Sequence, residues 1–242
     1  MGVMERPFQW ISRILSLGLR YDQATAVGPA FQQEAWIRKI MKEAKKRTYS
    51  LETPLSDVTF ILLDTETTGF SPQRGDEIFS LAALKTKNGE PLDLYCSNFR
   101  PKRRIPEHVE ALTGITNDDV ACAPLLEEEI HHILSFLNHG ILLGYHIQHD
   151  VAFLNEFLSR NYRTVLQQTT IEMRKIMECI YHDSFPTLDD ALSFYHLTPI
   201  DRHTAKGDVM SLFEIWKRVF IELQQLQIDT LHDLYTLLSQ CS

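Results

Sequence analysis

The sequence predicts an α/β domain in which a mixed sheet is covered by helices. Three observations carry this reading: an apolar run with strand character, Phe60 to Leu63; two β-rich runs on either side of Asn88-Gly89; and, beyond Ile105, a short apolar run set among helix-periodic segments. With 242 residues, 44% of them apolar, the chain has room for one medium domain plus an appendage and enough apolar surface for a packed core.

In chain order, residues 1–50 read as a basic helical extension. In "QEAWIRKIMKEAKKR", Trp36, Ile37, Ile40, Met41 and Ala44 recur at helical spacing while most cations fall elsewhere. That pattern suits a helix packed on the main domain with a solvated basic face, or a contact to nucleic acid or a partner. "SLETPLSD" reads as the linker into a main domain over residues 58–220. The strand ending at Asp64 is followed by "DEIFSLAALKTKNGEPLDLYCSNFRP", which Asn88-Gly89 turns into a hairpin, so three antiparallel strands open the domain.

Helical texture follows in "IPEHVEALTGIT" and "APLLEEEIHHILSFLNH", where Leu126, Ile130, Ile133, Leu134 and Leu137 form one face. "GILLGY" reads as a buried strand leading into the helix "HDVAFLNEFLSRNY". A short strand near "TTIEMRK", a helix opened by the capping-box pattern Thr187 to Asp190, and a long helix in "KGDVMSLFEIWKRVFIEL" complete the domain. The tail, residues 221–242, carries a stripe of Leu231, Leu234, Tyr235 and Leu238, which packs on its own domain or docks a polymerase or another protein.

Composition narrows the setting. The four cysteines are scattered, without a C-x-x-C pair, which argues against a disulfide framework or a zinc site and for reduced thiols. No run approaches the roughly 18 apolar residues of a membrane span. Arg13 interrupts the apolar N-terminal stretch and no small-residue cleavage site follows, so the chain reads as cytoplasmic, with no membrane partner. The net charge of −8 is uneven: residues 1–50 hold nine Lys or Arg against four Asp or Glu, a net +5, leaving −13 for the rest. Global charge therefore does not decide whether nucleic acid is a partner.

The acids pose the functional question. Asp64 and Glu66, two positions apart on a strand, point to one side of the sheet as like charges. Asp150 opens the helix after "GILLGY", and Asp208 lies near the start of the long helix, five residues after His203. Separately, D-x-E at a strand end is an ordinary turn feature, Asp150 and Asp208 are candidate helix N-caps, and His203 is a loop residue. Together, four converging carboxylates need positive charge. Two divalent ions supply it, oxygen ligands select Mg²⁺ or Mn²⁺, and an ion pair of this kind clamps the two oxygens of a phosphoryl displacement.

With their neighbours, these residues resemble the DnaQ-like DEDDh 3′→5′ exonucleases, a family that includes the proofreading epsilon subunit of bacterial replicases. "DTETTG" at 64–69 matches the first motif, "GDEIFSLAAL" and "RPKRRIPEHVEALTGIT" follow in order, and "HTAKGD" at 203–208 fits the third motif, H-x-A-x-x-D. The second motif, "YHIQHDVAFL", keeps Asp150, Phe153 and Leu154, but Tyr145, His146 and His149 replace the usual His, Asn and Phe, which puts the wall beside the substrate in question.

The resemblance implies an RNase H-like mixed sheet of three antiparallel strands plus parallel ones. It implies two Mg²⁺ or Mn²⁺ ions held by Asp64, Glu66, Asp150 and Asp208, and a neutral His203 taking a proton from the attacking water. Thr67, Thr68 and Gly69 would hold the terminal nucleotide, with Gly69 letting the backbone approach it and Phe70 either stacking on a base or serving as a core or rim aromatic. Lys102, Arg103 and Arg104 are phosphate contacts or a solvated loop. The implied substrate is the 3′ end of single-stranded or frayed DNA, with RNA trimming or a non-catalytic nucleic-acid-binding module as alternatives. A proofreading role would need a separate polymerase chain, since no polymerase motif is present.

Overall fold

Strand β1 (Thr59–Thr67) lies at the centre of a five-stranded sheet with the order β3-β2-β1-β4-β5. It runs antiparallel to β2 (Ile78–Lys87), which pairs antiparallel with β3 (Glu90–Asn98), and parallel to β4 (Ile141–Gly144), which pairs in parallel with β5 (Thr170–Glu172). This is the mixed sheet expected from the sequence. The computed structural model describes residues 30–46 and 49–240, so most of the basic extension, residues 1–29 and 47–48, lies outside the described residues.

Asn88 and Gly89 both carry positive φ, 52° and 74°, the condition a two-residue turn imposes if its twist is to match that of the strands it joins. The parallel pairing of β1 with β4 cannot be made by a tight turn. Helices α2 (Glu107–Thr113), α3 (Asn117–Val120) and α4 (Leu126–Leu137) supply the long connection from β3.

Both faces of the sheet are covered. Phe60 and Leu62 enter one core with α6 (Met173–Tyr181), α7 (Leu188–Phe194), α8 (Ala205–Gln225) and α9 (Leu231–Gln240); Trp216 of α8 packs on Phe60 with ring centroids 4.7 Å apart. Ile61 and Leu63 enter the other with α1 (Ala30–Lys46), α4 and α5 (Ile147–Tyr162). A strand buried on both faces has no reason to alternate, which is why Phe60 to Leu63 is apolar throughout.

The flanking segments share these cores. Ile37, Ile40 and Met41 of α1 are buried in the second, and Leu231 and Leu234 of α9 in the first, with Tyr235 and Leu238 against it. Residues 51–57 are tied down rather than free: Leu55 N–H donates to Asp229 O, and Leu231 and His232 N–H donate to Thr53 O and Leu51 O. The sequence reading has no counterpart for α6, because its nine residues follow directly on the three of β5 and merge with the strand pattern. Among the described residues no helix is long and apolar enough to cross a membrane.

Candidate active site

The site forms where β1 runs out of apolar residues. Asp64 and Glu66 follow Phe60 and Leu62 in parity, so they face the side covered by α8. Asp208 comes down from α8, and one carboxylate oxygen from each of Asp64, Glu66 and Asp208 lies within 4.8 Å of the others. Thr65 points to the opposite side, where its Oγ1 donates to Asp150 Oδ1 at 2.6 Å; Asp150 is only 3% exposed. Asp150 thus stands beside the three-oxygen set, close enough for its charge to act on Asp64 and Glu66.

Neither helix acid is a cap. His146 and Thr204 occupy the N-cap positions, and Asp150 and Asp208 sit four residues further on, one turn inside α5 and α8. Thr204 caps in the ordinary way, its Oγ1 accepting from Gly207 N–H at 3.0 Å. His146, with φ of 59°, has no side-chain cap bond; instead Glu172 reaches across from the end of β5 and accepts the N–H groups of His146 and Ile147 at 2.9 and 3.1 Å.

Two of the three second-motif substitutions are accounted for by a tether. Tyr145 OH donates to Phe185 O at 2.5 Å, and His146 Nε2 lies 2.9 Å from Pro186 O. A carbonyl only accepts, so that nitrogen carries the proton. These side chains tie the start of α5 to the segment before α7. His149 alone faces the first motif: its Nε2 is 3.3 Å from Thr67 Oγ1, and its ring lies between Phe70 and Phe153, at 5.9 and 4.8 Å between centroids.

His203 also has positive φ, 62°, and its backbone N–H donates to Asp208 Oδ1 at 3.3 Å. Its partly exposed ring makes no hydrogen bond among the described residues. Arg202 beside it grips both carboxylate oxygens of Asp189 through Nε and Nη2, at 2.6 and 3.2 Å, and touches Asp208 Oδ1 through Nη1.

In the loop after β1, Thr67 Oγ1 donates to Gly69 O at 2.7 Å. Thr68 is buried, its N–H donating to Glu77 O and its Oγ1 accepting from Glu77 N–H, so its side chain braces the loop. A Cβ on Gly69 would lie 2.4 Å from the Asp76 carboxylate, which holds Ser71 N–H at 2.9 Å. Room for Asp76 is therefore a structural reason for glycine there. Phe70 is 87% exposed, which removes the core reading. Lys102 is paired with Glu127 and Arg103 donates to Arg74 O, so two of the three loop cations have protein partners; Arg104 is exposed.

The electrostatics follow from the crowding. Removal from water, then the charges of Asp150, Asp208 and Glu66, holds the Asp64 carboxyl well above the usual carboxylate range. Burial followed by Asp208 and Asp150 raises Glu66 to about 8. Burial raises Asp150 to about 7 against the opposing Thr65 hydrogen bond, and raises Asp208 against the opposing Arg202. Desolvated oxygen donors that repel one another suit a hard divalent cation, and the cluster can hold one. Arg202, Asp189, Glu172 and Thr65 have no site role in the sequence reading, Asp189 appearing there only within the cap pattern of α7. Only Arg202 left a signal, a cation directly before His203.

A profile of the exonuclease family of the RNase T type matches residues 61–216. The chain is 27% identical over 207 residues to a PolC-type DNA polymerase III of Thermotoga petrophila, covering 85% of this chain and 15% of that protein. It is 32% identical over 123 residues to the DNA polymerase III epsilon subunit of Aquifex aeolicus, covering 51% of this chain and 59% of the relative. In both cases the match spans less than two thirds of the relative. Among solved structures, the nuclease domain of 3′hExo, a DEDDh family member bound to rAMP, superposes with a TM-score of 0.60 at 21% identity, covering 69% of this chain and 92% of that one. E. coli Exonuclease I with a dT13 oligonucleotide gives 0.60 at 16% identity, covering 71% and 43%. These two likenesses speak to the fold.

Proposed function

We propose, from the premise that this chain belongs to the exonuclease family matched over residues 61–216, that it is a divalent-metal-dependent 3′→5′ exonuclease. It would release nucleoside monophosphates from the 3′ end of single-stranded or frayed DNA. The observation that carries this reading is the convergence of Asp64, Glu66 and Asp208 oxygens within 4.8 Å, with Asp150 bonded to the intervening Thr65.

In this reading Asp64, Glu66, Asp150 and Asp208 hold two Mg²⁺ or Mn²⁺ ions, which when bound make water a better nucleophile and offset charge on the phosphoryl oxygens. His203 would take the proton from the attacking water, a role open to its ring because that ring makes no hydrogen bond among the described residues. Phe70 stacks on the terminal base from its exposed position, and Thr67, Thr68 and Gly69 shape the floor beneath the terminal sugar. The catalytic unit is assigned to residues 58–220, flanked by the basic extension 1–50 and the tail 221–242, in a cytoplasmic protein.

DNA is favoured as substrate by the polymerase III relatives and by the Exonuclease I complex with dT13; the neighbour bound to rAMP keeps RNA as the second reading. The polymerase relatives also support proofreading for a separate polymerase chain. The test is product analysis on 3′- and 5′-labelled single-stranded DNA and RNA of one sequence, with Mg²⁺ or Mn²⁺ against EDTA. The expected result is metal-dependent mononucleotide release from the 3′ end, faster on DNA. Faster release from RNA would reverse the substrate assignment, and no cleavage by the folded protein would leave a binding module.

A further inference from the structure

We propose that Arg202, clamped by Asp189, is a positioning residue that fixes the orientation of Asp208 and of the adjacent His203. The inference rests on the reading of Asp208 as an ion ligand. Two hydrogen bonds and one ion-pair contact from one guanidinium join two elements: Nε and Nη2 donate to the two oxygens of Asp189 on α7, and Nη1 lies in ion-pair contact with Oδ1 of Asp208 on α8. That same Oδ1 accepts the His203 N–H. With one backbone donor and the guanidinium charge both on Oδ1, the Asp208 carboxylate is held in one orientation, and Oδ2 is the oxygen left for an ion.

The surroundings make the clamp stiff. The Arg202 and Asp208 side chains are only 18% and 12% exposed, a setting in which a paired guanidinium is weakly screened. The loop carrying Arg202 lies directly on the first turn of α8: a Cβ on Gly207 would come within 2.1 Å of Asp201 O, and Thr204 Oγ1 donates back to Asp201 O at 2.7 Å. Asp201 and His203, on either side of Arg202, both have positive φ, 37° and 62°. A shift of Arg202 would therefore carry His203 with it. On the far side, Asp189 is set by α7, whose leading segment is tethered through Phe185 and Pro186 to Tyr145 and His146. Lysine cannot replace the fork, because a single ammonium cannot hold both oxygens of Asp189 in plane and reach Asp208 as well.

The test compares wild type, Arg202→Lys, Asp189→Asn and the double variant by Mn²⁺ titration calorimetry and by steady-state cleavage of a labelled oligonucleotide. Arg202→Lys keeps the charge and removes the fork. Asp189→Asn keeps the shape at a half-exposed site, so it leaves the fold intact, as circular dichroism will confirm. Mn²⁺ should bind about fivefold more weakly to Arg202→Lys and about threefold more weakly to Asp189→Asn, with kcat at least tenfold down and KM within twofold. Because the two residues act as one unit, the double variant should be no worse than Arg202→Lys. Wild-type affinity and turnover in both single variants, or losses that multiply in the double, would overturn the proposal. If wild type binds Mn²⁺ but cleaves nothing, the exonuclease reading fails while the Mn²⁺ series still decides this one; if wild type binds no Mn²⁺, both fail.

Discussion

The starts of α5 and α8 solve one problem in two ways. Each delivers an aspartate from the fourth helical position toward β1, and each is entered through a histidine with positive φ, His146 or His203. At α5 that histidine is spent on structure, its ring donating to Pro186 O, and Asp150 has a neutral hydroxyl, Thr65, as its close partner. At α8 the histidine ring carries no hydrogen bond among the described residues, and Asp208 is met by the Arg202 guanidinium. Both entrances are held in place, but α5 spends its histidine ring on the tether, whereas α8 is held through Arg202 and leaves its imidazole without a hydrogen bond among the described residues. In the proposed reading the same helix geometry serves as anchor on one side and working edge on the other.

The largest expected effect comes from removing what the two entrances share. Asp64→Ala should fold normally and lose at least ~10³-fold in exonuclease rate, a loss of about 4 kcal/mol in transition-state stabilisation. Near-normal turnover would dissolve the site. Next, the two histidines should separate cleanly: His203→Ala should fall ~10²–10⁴-fold, the usual worth of a general base, while retaining Mn²⁺ binding. His146→Ala should stay within a few fold of wild type. Equal losses from both would break the division into anchor and working edge.

Proton and ion linkage gives the third effect. Asp64, Glu66, Asp150 and Asp208 are all raised above their ordinary values, Asp150 to about 7 and Glu66 to about 8. Raised carboxyls favour the protonated folded state, so their contribution is full below the ordinary carboxylate range and is lost as pH rises through about 7 and about 8. The ion-free protein should therefore melt lower at about pH 8 than at about pH 5.5, as far as this cluster governs it. Mn²⁺ at one fixed concentration, set to 100 times its Kd at about pH 5.5, should add about 2.7 kcal/mol there and more at about pH 8, where the acids are free of protons and Kd is lower. Thermal melts with EDTA or Mn²⁺ at both pH values read this directly; a gain independent of pH would mean the acids do not hold the ion.

Much of this was legible in the sequence because it is local. Asn88-Gly89 fixes a hairpin by its own φ requirements, Phe60 to Leu63 announces a strand buried on both faces, and the Leu126–Leu137 stripe needs only helical periodicity. The four acids were legible as a motif, and three of them meet within one ion's reach. What stayed hidden depends on distant pairs. Asp189 and Arg202 are separated by a helix and a loop, and Asp189 reads as part of the α7 cap pattern until the fold brings α8 beside it. Thr65 looks like a strand residue between two acids, and only the turned-over face of β1 reveals its bond to Asp150. Helix α6 was lost for a local reason, because a three-residue strand runs straight into it.

The smallest expected effect tests the anchor itself. Tyr145 stands where the family motif has histidine, and the sequence alone left open whether that change reshapes the substrate wall. The residue is 8% exposed and its hydroxyl is spent on Phe185 O. Tyr145→Phe keeps the ring, removes the donor and leaves a carbonyl short of its partner, which costs about 1–3 kcal/mol. Denaturant unfolding should register that loss with an unchanged m-value, while the DNA-to-RNA rate ratio stays as in wild type. The reverse pattern, full stability with an altered ratio, would move Tyr145 from the anchor to the substrate wall, and the contrast between the two helix entrances would then be one of degree.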